Sequence, residues 1–326
     1  MVDEQALREA LKIPLADTDL VGLGPKYEGK VRDNYLVGNG RRILVTTDRI
    51  SAFDRVLGTL PLKGQILNRL ASYWFELTRG ICPNHLIATP DPNVMVAIAC
   101  EPLPLEVVVR AYLTGVTSTS IWTAYSQGHR SFCGHALPEG LAKNDPLPSP
   151  IVTPSTKAAK GGHDESVSGE SLVQSGVISQ ADFDLVEQLA LRVFAFGQAH
   201  CRDRGLILAD TKYEFGRTPD GQIVLMDEMH TPDSSRFWFA ESYAARVHEG
   251  LEPESFDKEF VRRWLVAQGF AGEGPIPTIP DDIRVEASQR YLQAFERISG
   301  LSFVADLREP QARIQQALAS YVSTVI

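Results

Sequence analysis

LADTKYEFGRTPDGQIVLMDE, residues 208–228, contains two apolar segments that flank a turn, with acidic residues near both ends. Asp220-Gly221 is a typical two-residue hairpin turn, so the stretch predicts a β-hairpin. Side chains alternate along a strand, which places Asp210, Lys212 and Glu214 on one face. The flanking segments are almost continuously apolar, as in strands that are buried on both faces. We therefore expect the charged residues to line a cleft at the ends of buried strands.

The pairing of these two strands decides what the acids do. With a two-residue turn, Glu214 lies directly opposite Asp227, and facing like charges destabilise a sheet unless a cation lies between them. Magnesium prefers one or two carboxylates together with phosphate oxygens and water, so the pair predicts a Mg²⁺ site for nucleotide phosphates with Lys212 beside it. With a four-residue turn, Lys212 faces Asp227 in an ordinary ion pair. A solvated hairpin with exposed charges is a third interpretation.

Composition limits the class of protein. The chain has 326 residues, which is enough for one large domain or two. Its 32 Lys and Arg against 41 Asp and Glu give a net charge of −9, and without a basic run we expect no binding to nucleic acid. No apolar run is long enough to cross a bilayer and the N-terminus lacks a secretory pattern, so we expect a cytoplasmic protein without membrane contact. The four scattered cysteines predict reduced structural thiols rather than a zinc site.

Hydrophobic patterning predicts an α+β protein whose first hundred or so residues are mostly strand. Segments 27–37 and 42–47 are strand-like and flank the turn signal Gly38-Asn39-Gly40. Apolar residues recur at helical spacing over residues 66–79. The N-terminal region is therefore expected to be a sheet of hairpins with one helix packed on it.

The rest of the chain is predicted to mix strands and helices. Two prolines ahead of an apolar strand at residues 105–109 suggest an extended hinge. We therefore predict a β-rich region, residues 1–104, and an α/β region, residues 105–326. The Pro-, Gly- and Ser-rich stretch 138–170 is predicted to be a long functional or disordered loop. Helices are predicted to begin at Ser179, in a capping box with Asp182, and to close the chain over Ser255–Gln268, Asp281–Ile298 and Pro310–Val325.

Two polar stretches accompany the N-terminal strands. YEGKVRDNY, residues 27–35, combines Gly29, which allows close backbone approach, with the cations Lys30 and Arg32. It has neither the Walker A nor the GxGxxG fingerprint, and taken alone a surface strand is its simpler interpretation. TTDRISAFD, residues 46–54, follows an apolar strand and either contacts a ligand or forms a capped loop.

Polar stretches in the predicted region 105–326 are also candidates for anion binding. Arg110 ends a buried strand, where a guanidinium must find a protein carboxylate or a ligand phosphate. The hydroxyls of residues 117–120 either donate to a phosphate or cap the helix that begins near Ile121. TPSTKAAKGGHDE, residues 153–165, has the composition of a closing lid. The polar turn at 233–236 either caps a helix or holds a phosphate.

These stretches resemble, in matching order from Tyr27 to Trp238, those of the SAICAR synthetase (phosphoribosylaminoimidazole-succinocarboxamide synthase) family: GKVRD, TTDRISAFD, TPSTKAAKGGHDE, LADTKYEFG and DEMHTPDSSRFW. Members of this family join a carboxyaminoimidazole ribonucleotide to L-aspartate in de novo purine biosynthesis and cleave ATP to ADP and phosphate. The resemblance implies a β-rich, kinase-like ATP-binding region followed by an α/β region. It also implies that ATP and Mg²⁺ are needed and that the partners are these small-molecule substrates.

The resemblance assigns expected roles to individual residues. The implied nucleotide site consists of Gly29, Lys30, Arg32 and the backbone near Leu103 around ATP, Glu214 and Asp227 on magnesium, and Lys212 at the transferring or substrate oxygens. The implied substrate site consists of Arg110, Ser118 and Arg236 at the ribonucleotide phosphate, Asp210, Asp233 and Ser234 nearby, and Thr156, Lys157, Asp164 and Glu165 in the aspartate-binding and lid region. Where the family commonly reads RGYLTGS this chain reads RAYLTGV, so Val116 lacks a hydroxyl that Ser118 or a neighbouring threonine is expected to replace.

The implied reaction sets two chemical requirements. All three substrates are anions and the chain is itself acidic, so the site must concentrate cations. The amine of aspartate must be neutral to attack, which requires a base, and the candidates are His163, Asp210 and Asp233. Two alternatives to the ligase are an ATP-dependent small-molecule kinase and a nucleotide-binding regulatory protein. The sequence makes no prediction of oligomeric state.

Overall fold

The computed structural model describes residues 2–53, 55–117, 120–157, 165–256 and 259–325, with side chains described as far as Tyr321. The strands are β1 (Lys26–Glu28), β2 (Arg32–Val37), β3 (Arg41–Thr46), β4 (Arg49–Ala52), β5 (Arg55–Thr59), β6 (Leu86–Asp91), β7 (Val94–Ile98), β8 (Glu101–Pro102), β9 (Leu105–Tyr112), β10 (Ser131–Phe132), β11 (His135–Ala136), β12 (Pro146–Thr156), β13 (Leu206–Arg217), β14 (Ile223–Met226) and β15 (Ser235–Phe239). The helices are α1 (Glu4–Ala10), α2 (Lys63–Leu77), α3 (Ile121–Ser126), α4 (Gly169–Gln174), α5 (Gln180–Arg202), α6 (Ala240–His248), α7 (Glu259–Ala267), α8 (Asp281–Ser299) and α9 (Pro310–Val325). The α+β class is confirmed.

An antiparallel sheet in the order β1-β2-β3-β7-β6 forms the N-terminal layer. The predicted strand 27–37 is interrupted, because Gly29–Val31 forms a turn between β1 and β2. The amide of Gly29 donates to the carbonyl of Arg32 at 2.8 Å, which closes this turn. The expected hairpin around Gly38–Gly40 is confirmed by the antiparallel pairing of β2 with β3.

A second sheet has six strands in the order β12-β9-β13-β14, with β15 and β8 also paired to β13. The long strand β13 is the centre of this sheet. Its first half pairs with β9 and β15, and its second half pairs with β14 and β8. The hairpin predicted from residues 208–228 is therefore present, and it organises the second half of the molecule.

Both registers predicted for this hairpin are wrong. Glu214 faces Met226 rather than Asp227, and Lys212 faces Val108 of β9. The cause is a three-residue loop, because the amide of Thr218 donates to the carbonyl of Gln222 at 2.9 Å. Gly221 in this loop has a φ of +89°, which is the left-handed position of three-residue hairpin loops. Glu214 and Asp227 are therefore diagonal neighbours instead of a facing pair.

Residues 138–170 are not the continuous loop that their composition predicts. Strand β12 occupies eleven of them and pairs with β9 at the edge of the second sheet. Proline lacks an amide donor, so a proline-rich strand is tolerated only where one side needs no ladder hydrogen bonds. The pairing also slips between Pro146 and Ile151, as expected for such a strand.

The helices largely follow the sequence patterns. Ser179 caps α5 by accepting from the amide of Asp182, and Ser120 caps α3 in the same way through Thr123. The polar turn at 233–236 does not cap a helix, because β15 begins at Ser235. Helix α7 is shorter than the predicted Ser255–Gln268, and residues 257–258 lie outside the described part of the chain.

One large hydrophobic cluster joins the two halves of the molecule. It contains buried side chains from Leu7 in α1 to Phe303 after α8, including residues of α2, β9, α5 and β13. A second cluster forms where Ile314 and Leu318 of α9 pack on Tyr35 and Val45 of the N-terminal sheet. The domain boundary at residue 104 stays a prediction. Among the described residues, none of the helices has the length and apolarity needed to cross a membrane.

Candidate active site

A cavity of about 730 Å³ lies between the two sheets. One wall is the Gly29–Val31 turn with Arg32, and the opposite wall comes from β13 and the segment after β14. Residues of both walls and of the C-terminal helices line it: Tyr27, Gly29, Lys30, Val31, Arg32, Asn34, Ser51, Ala52, Phe53, Thr117, Lys212, Glu214, Asp227, Glu228, Asp233, Ser234 and Arg262. The cavity thus brings together eight of the residues predicted from the sequence.

The acids of this cavity are paired with cations. Both carboxylate oxygens of Asp227 accept from Nη1 of Arg32 at 2.8 Å, and Nη2 of Arg32 contacts Glu228 at 2.8 Å. Glu214 contacts Nζ of Lys157 at 2.5 Å and Nζ of Lys212 at 3.2 Å. Glu214 of β13 and Asp227, which directly follows β14, therefore line one cavity, although protein cations lie next to each.

Electrostatic effects shift the pKa values of Asp227 and Glu214 in opposite directions. Burial raises the pKa of Asp227 to about 6; Arg32 opposes this, while the neighbouring Glu214 and Glu228 add to it. Burial would also raise the pKa of Glu214, but Lys212 and Lys157 outweigh it and lower that pKa to about 2. Asp227 is thus the acid whose charged form is disfavoured, by burial and by repulsion from Glu214 and Glu228. A bound divalent cation would relieve this repulsion, so the donor set fits the predicted Mg²⁺.

Lys212 is held as a permanent cation. Burial alone would lower its pKa, but Glu214 and Glu106 raise it above the usual lysine value. Nζ of Lys212 lies 2.5 Å from the carboxylate of Glu106, which β9 contributes from the neighbouring strand. A lysine in this state supplies positive charge and does not act as a proton acceptor.

A smaller polar cavity of about 200 Å³ adjoins the first. Its lining includes three arginines and several hydroxyls: Val108, Arg110, Gly115, Val116, Thr117, Ser120, Thr153, Ser155, Ser166, Arg236 and Arg262. Asp210 orients two of the arginines, with Arg236 at 2.5 Å and Arg110 at 3.6 Å. Nε of Arg110 also donates to Thr153 at 2.9 Å. Three guanidinium groups beside hydroxyls have the donor chemistry that suits a multiply charged anion such as a phosphate ester.

Asp233 lines the first cavity, and two buried side chains hold its carboxylate in place. Its carboxylate accepts from Nζ of Lys63 at 2.7 Å and from the hydroxyl of Tyr291 at 2.6 Å. The carbonyl of the next residue, Ser234, accepts from the amide of Lys212 at 2.9 Å. These contacts fix the polar turn before β15 against β13.

Several predicted residues lie elsewhere. Leu103 lines neither cavity; its side chain joins the main core and its amide donates to the carbonyl of Phe215 at 2.9 Å. Thr156 and Glu165 hydrogen-bond to each other through backbone and hydroxyl groups, which brings together the two ends of segment 157–164. Ser118, His163 and Asp164 lie outside the described residues.

Sequence reasoning missed several groups of the site. Glu228 directly follows Asp227, and counting it as a third carboxylate would have identified it. Glu106 interrupts the apolar strand LEVVV, which is a recognisable signal of a buried acid that needs a cation. Lys63 carries no such local signal, because its partner Asp233 is distant in sequence. Arg262 pairs locally with Glu259, and this pair looks like an ordinary helix-surface ion pair in the sequence.

Comparison with known proteins agrees with the resemblance. Residues 25–276 match the family model described as SAICAR synthetase. A phosphoribosylaminoimidazole-succinocarboxamide synthase of Legionella pneumophila is 49% identical over 294 residues, which are 90% of this chain and 93% of the relative. The SAICAR synthase of Saccharomyces cerevisiae, solved in complex with SAICAR, superposes with a TM-score of 0.78 and 32% identity over 89% of this chain and 100% of that chain. A type-2 SAICAR synthetase in complex with ADP gives a TM-score of 0.65 and 25% identity over 86% of this chain and 100% of that chain.

Fold, cavities and matches together define an ATP-dependent carbon–nitrogen ligase that acts on small anionic substrates in purine biosynthesis. The chain belongs to the SAICAR synthetase family. The family resemblance and the α+β fold expected from it are therefore confirmed, and neither the small-molecule kinase nor the regulatory protein is favoured.

Proposed function

We propose that this enzyme joins the 4-carboxylate of 5-amino-1-(5-phosphoribosyl)imidazole-4-carboxylate to the amine of L-aspartate through an acyl phosphate. The observation that carries this proposal is the contact between the two cavities, which share Thr117 and Arg262 in their linings. A nucleotide in the acid-lined cavity and a ribonucleotide phosphate in the arginine-lined cavity would thus meet at one boundary. This arrangement supports transfer of a phosphoryl group between two bound anions.

The nucleotide end is assigned to the larger cavity. Gly29 and Lys30 would lie over the ATP phosphates, with adenine toward the backbone near Leu103. Glu214 and Asp227 would hold Mg²⁺, which supplies Lewis-acid stabilisation of phosphate oxygens when bound. Lys212 adds a fixed positive charge where negative charge develops during transfer.

The ribonucleotide end is assigned to the smaller cavity. Arg110 and Arg236 would bind the 5′-phosphate, and Asp210 keeps both guanidinium groups in place. Val116 supplies no hydroxyl there, but Thr117 and Ser120 follow it closely in sequence, and both line the same cavity. Ser118 is a further candidate in the same segment.

The aspartate end is assigned to the segment that joins β12 to α4. Thr156, Lys157, Asp164 and Glu165 belong to it, and Lys157 reaches the first cavity through Glu214. Three residues remain candidates for the base that takes the amine proton, namely His163, Asp210 and Asp233. Lys63 and Tyr291 already donate to Asp233, and Arg236 contacts Asp210, which weakens the case for either.

The proposed chemistry has two steps. An oxygen of the imidazole carboxylate attacks the γ-phosphorus of ATP, and the bond from that phosphorus to the ADP oxygen breaks. The neutral amine of aspartate then attacks the acyl carbon, and inorganic phosphate leaves with the former carboxylate oxygen. The amine proton passes to the base, so ATP cleavage is coupled to amide formation.

Oxygen labelling tests this route. With ¹⁸O in the carboxylate of the imidazole ribonucleotide, we expect one ¹⁸O atom in each inorganic phosphate and an amide-linked product by mass spectrometry. Reactions that omit ATP, Mg²⁺, the ribonucleotide or L-aspartate in turn are the controls. Unlabelled phosphate, or a stable phosphorylated product without aspartate, would contradict the proposal.

Two structural assignments belong to the same proposal. We assign residues 1–104 to the nucleotide-binding region and residues 105–326 to the substrate-binding region, since each contributes one wall of the larger cavity. We also propose a cytoplasmic location, because the substrates are intermediates of small-molecule metabolism.

A further inference from the structure

We propose that Arg49 is a positioning residue for the nucleotide, because it holds the Gly29–Val31 turn with its carbonyls directed into the protein. This inference rests on the proposed placement of the ATP phosphates at that turn. Arg49 belongs to the stretch TTDRISAFD, for which the sequence left ligand contact and loop capping open. Arg49 does not line the larger cavity, so its effect on a nucleotide must pass through the turn.

All three guanidinium nitrogens of Arg49 donate hydrogen bonds. Nη2 donates to the carbonyl of Gly29 at 3.0 Å and Nε donates to the carbonyl of Lys30 at 3.1 Å. Nη1 donates to the carbonyl of Ala16 at 2.7 Å, and Nη2 also contacts the carboxylate of Asp33 at 2.7 Å. The guanidinium therefore connects Ala16 and residues 29–33 to β4 around the base of the turn.

Burial makes these contacts specific. Arg49 is 5% exposed and Asp33 is fully buried, so the ion pair is shielded from water. Asp33 in turn accepts from the amide and hydroxyl of Thr18 at 2.9 and 2.7 Å. A buried guanidinium with a fixed carboxylate partner has little freedom to move, so it can hold the carbonyls of the turn in place.

A second residue of the same stretch continues the pattern. The carbonyl of Val31 accepts from the amide of Thr47 at 2.9 Å and from its hydroxyl at 2.8 Å. The carbonyls of Gly29, Lys30 and Val31 are therefore all directed toward the stretch 47–49. Thr47 and Arg49 of TTDRISAFD thus support the turn, while Asp48 between them accepts from the amide of Gly64 in the first turn of α2 at 2.9 Å.

The geometry of the peptide bond links this support to phosphate binding. In a trans peptide the N–H and the C=O point in opposite directions, and the peptide bonds of the turn are trans. Fixing the carbonyls of Gly29 and Lys30 inward directs the amides of Lys30 and Val31 away from Arg49. All three turn residues line the larger cavity on that side. Successive amides with a common direction form an anion-binding concavity of the type used for phosphates.

The decisive experiment separates positioning from simple stabilisation with two variants of Arg49. In Arg49→Lys the ammonium still pairs with Asp33 but cannot reach both carbonyls. We therefore expect this variant to keep most of the stability of the unaltered protein. The KM for ATP should remain raised by about tenfold, because misplacing a binding group by about 1 Å has effects of this order or greater. Arg49→Met should raise the KM for ATP at least as much, with little change in the KM values for aspartate and the ribonucleotide.

Arg313→Met is the matched control. Arg313 is 4% exposed and supports the same N-terminal sheet, but its hydrogen bonds go to Asp91 at 2.8 Å and Asn93 at 2.6 Å and not to the carbonyls of the turn. We expect it to lose stability without a selective change in the KM for ATP. Equal effects of Arg313→Met and Arg49→Lys on this KM, or no effect of Arg49→Lys, would overturn the inference.

The variant Lys30→Met distinguishes a failure of this inference from a failure of the proposed nucleotide placement. If Lys30→Met raises the KM for ATP and Arg49→Lys does not, only the role of Arg49 fails. If neither variant changes this KM, the phosphates do not lie at the turn, and both the placement and the inference are wrong. Should Arg49→Met fail to fold, Arg49→Lys and Thr47→Val give the same test, with a smaller increase in KM expected for Thr47→Val.

Discussion

Asp227 combines unfavourable features that natural chains keep only where they are needed. Its φ of 68° lies in the left-handed region, which non-glycine residues rarely adopt. It is also partly buried next to Glu214 and Glu228, which raise its pKa. Arg32 contacts both of its oxygens and offsets part of this cost. Strain and charge repulsion at one residue are typical of a site where a cation is bound.

Replacing this carboxylate tests its proposed function. Asp227→Asn should lower kcat by about a hundredfold or more, because a preorganised charge at the transferring group is lost. Thermal unfolding should change little, since the amide still accepts from Arg32. Asp220→Asn in the loop of the same hairpin is the control and should keep full activity. Near-normal turnover of Asp227→Asn at saturating magnesium would rule out the ligand assignment.

Lys63 shows how a buried charge depends on its ion-pair partner. It is fully buried at the start of α2 and contacts Asp233 at 2.7 Å. Lys63→Met leaves the carboxylate of Asp233 without this cation in a buried position, so the free energy of unfolding should fall by about 3–5 kcal/mol. Urea unfolding measures this loss. The double variant with Asp233→Asn should recover part of it, and strict additivity of the two changes would contradict direct coupling.

Local patterns predicted which elements form but not how they pair. The stripe on α5 and its cap at Ser179 follow from spacing alone, because they depend on neighbours within a few residues. The register of β13 with β14 depends on the hydrogen bonds between Thr218 and Gln222, which the Asp220-Gly221 signal concealed. Strand β12 was missed because its prolines resemble those of a loop, and only its edge position permits them.

A close approach between α2 and the N-terminal sheet leads to a prediction for this helix. A Cβ atom on Gly64 would lie 2.3 Å from the carbonyl of Thr46 and 2.4 Å from Nδ2 of Asn93. Gly64→Ala should therefore destabilise the fold by about 2–3 kcal/mol, because the helix must move away from β3. Gly80→Ala is the matched control, since a Cβ atom at that position would have no neighbouring atom within 4 Å. Equal urea midpoints for the two variants would show that this packing is less tight than the contact implies.

Charge separation is the main feature of the whole molecule. The chain carries a net charge of −9, yet arginines and lysines converge on the two cavities. The sequence predicted Arg110 and Lys212 from their strand positions, and Arg236 from a polar turn and the family resemblance. The sequence could not predict that Lys63 contacts Asp233, because 170 residues separate them. The packing of α2 and α8 around the polar turn 233–236 brings them together. The site was therefore predictable where it follows from one hairpin, and unpredictable where distant segments support it.

Buried histidines make the stability of the whole molecule sensitive to acid. Burial lowers the pKa of His85 to about 3, with a further contribution from Arg32 and Arg42, and burial likewise lowers the pKa of His230 to about 3. An unfolded histidine binds a proton below about pH 6.5, whereas these do so in the folded state only near pH 3. The contribution of these two histidines to the free energy of unfolding is therefore fully present above pH 6.5. It falls as the pH drops toward 3, by about 1.4 kcal/mol per histidine for each pH unit.

His85→Phe separates the contribution of one histidine from this acid sensitivity. His85 packs against Phe75 at a ring distance of 5.2 Å, so an aromatic ring is retained in the same environment. Urea unfolding between pH 5 and 7.5 should show a shallower dependence on pH for the variant, because one group no longer takes up a proton on unfolding. The slope, and not the absolute stability, is the measured quantity, so any repacking cost does not affect the comparison. Parallel curves for the two proteins would mean that His85 is already protonated or accessible in the folded state.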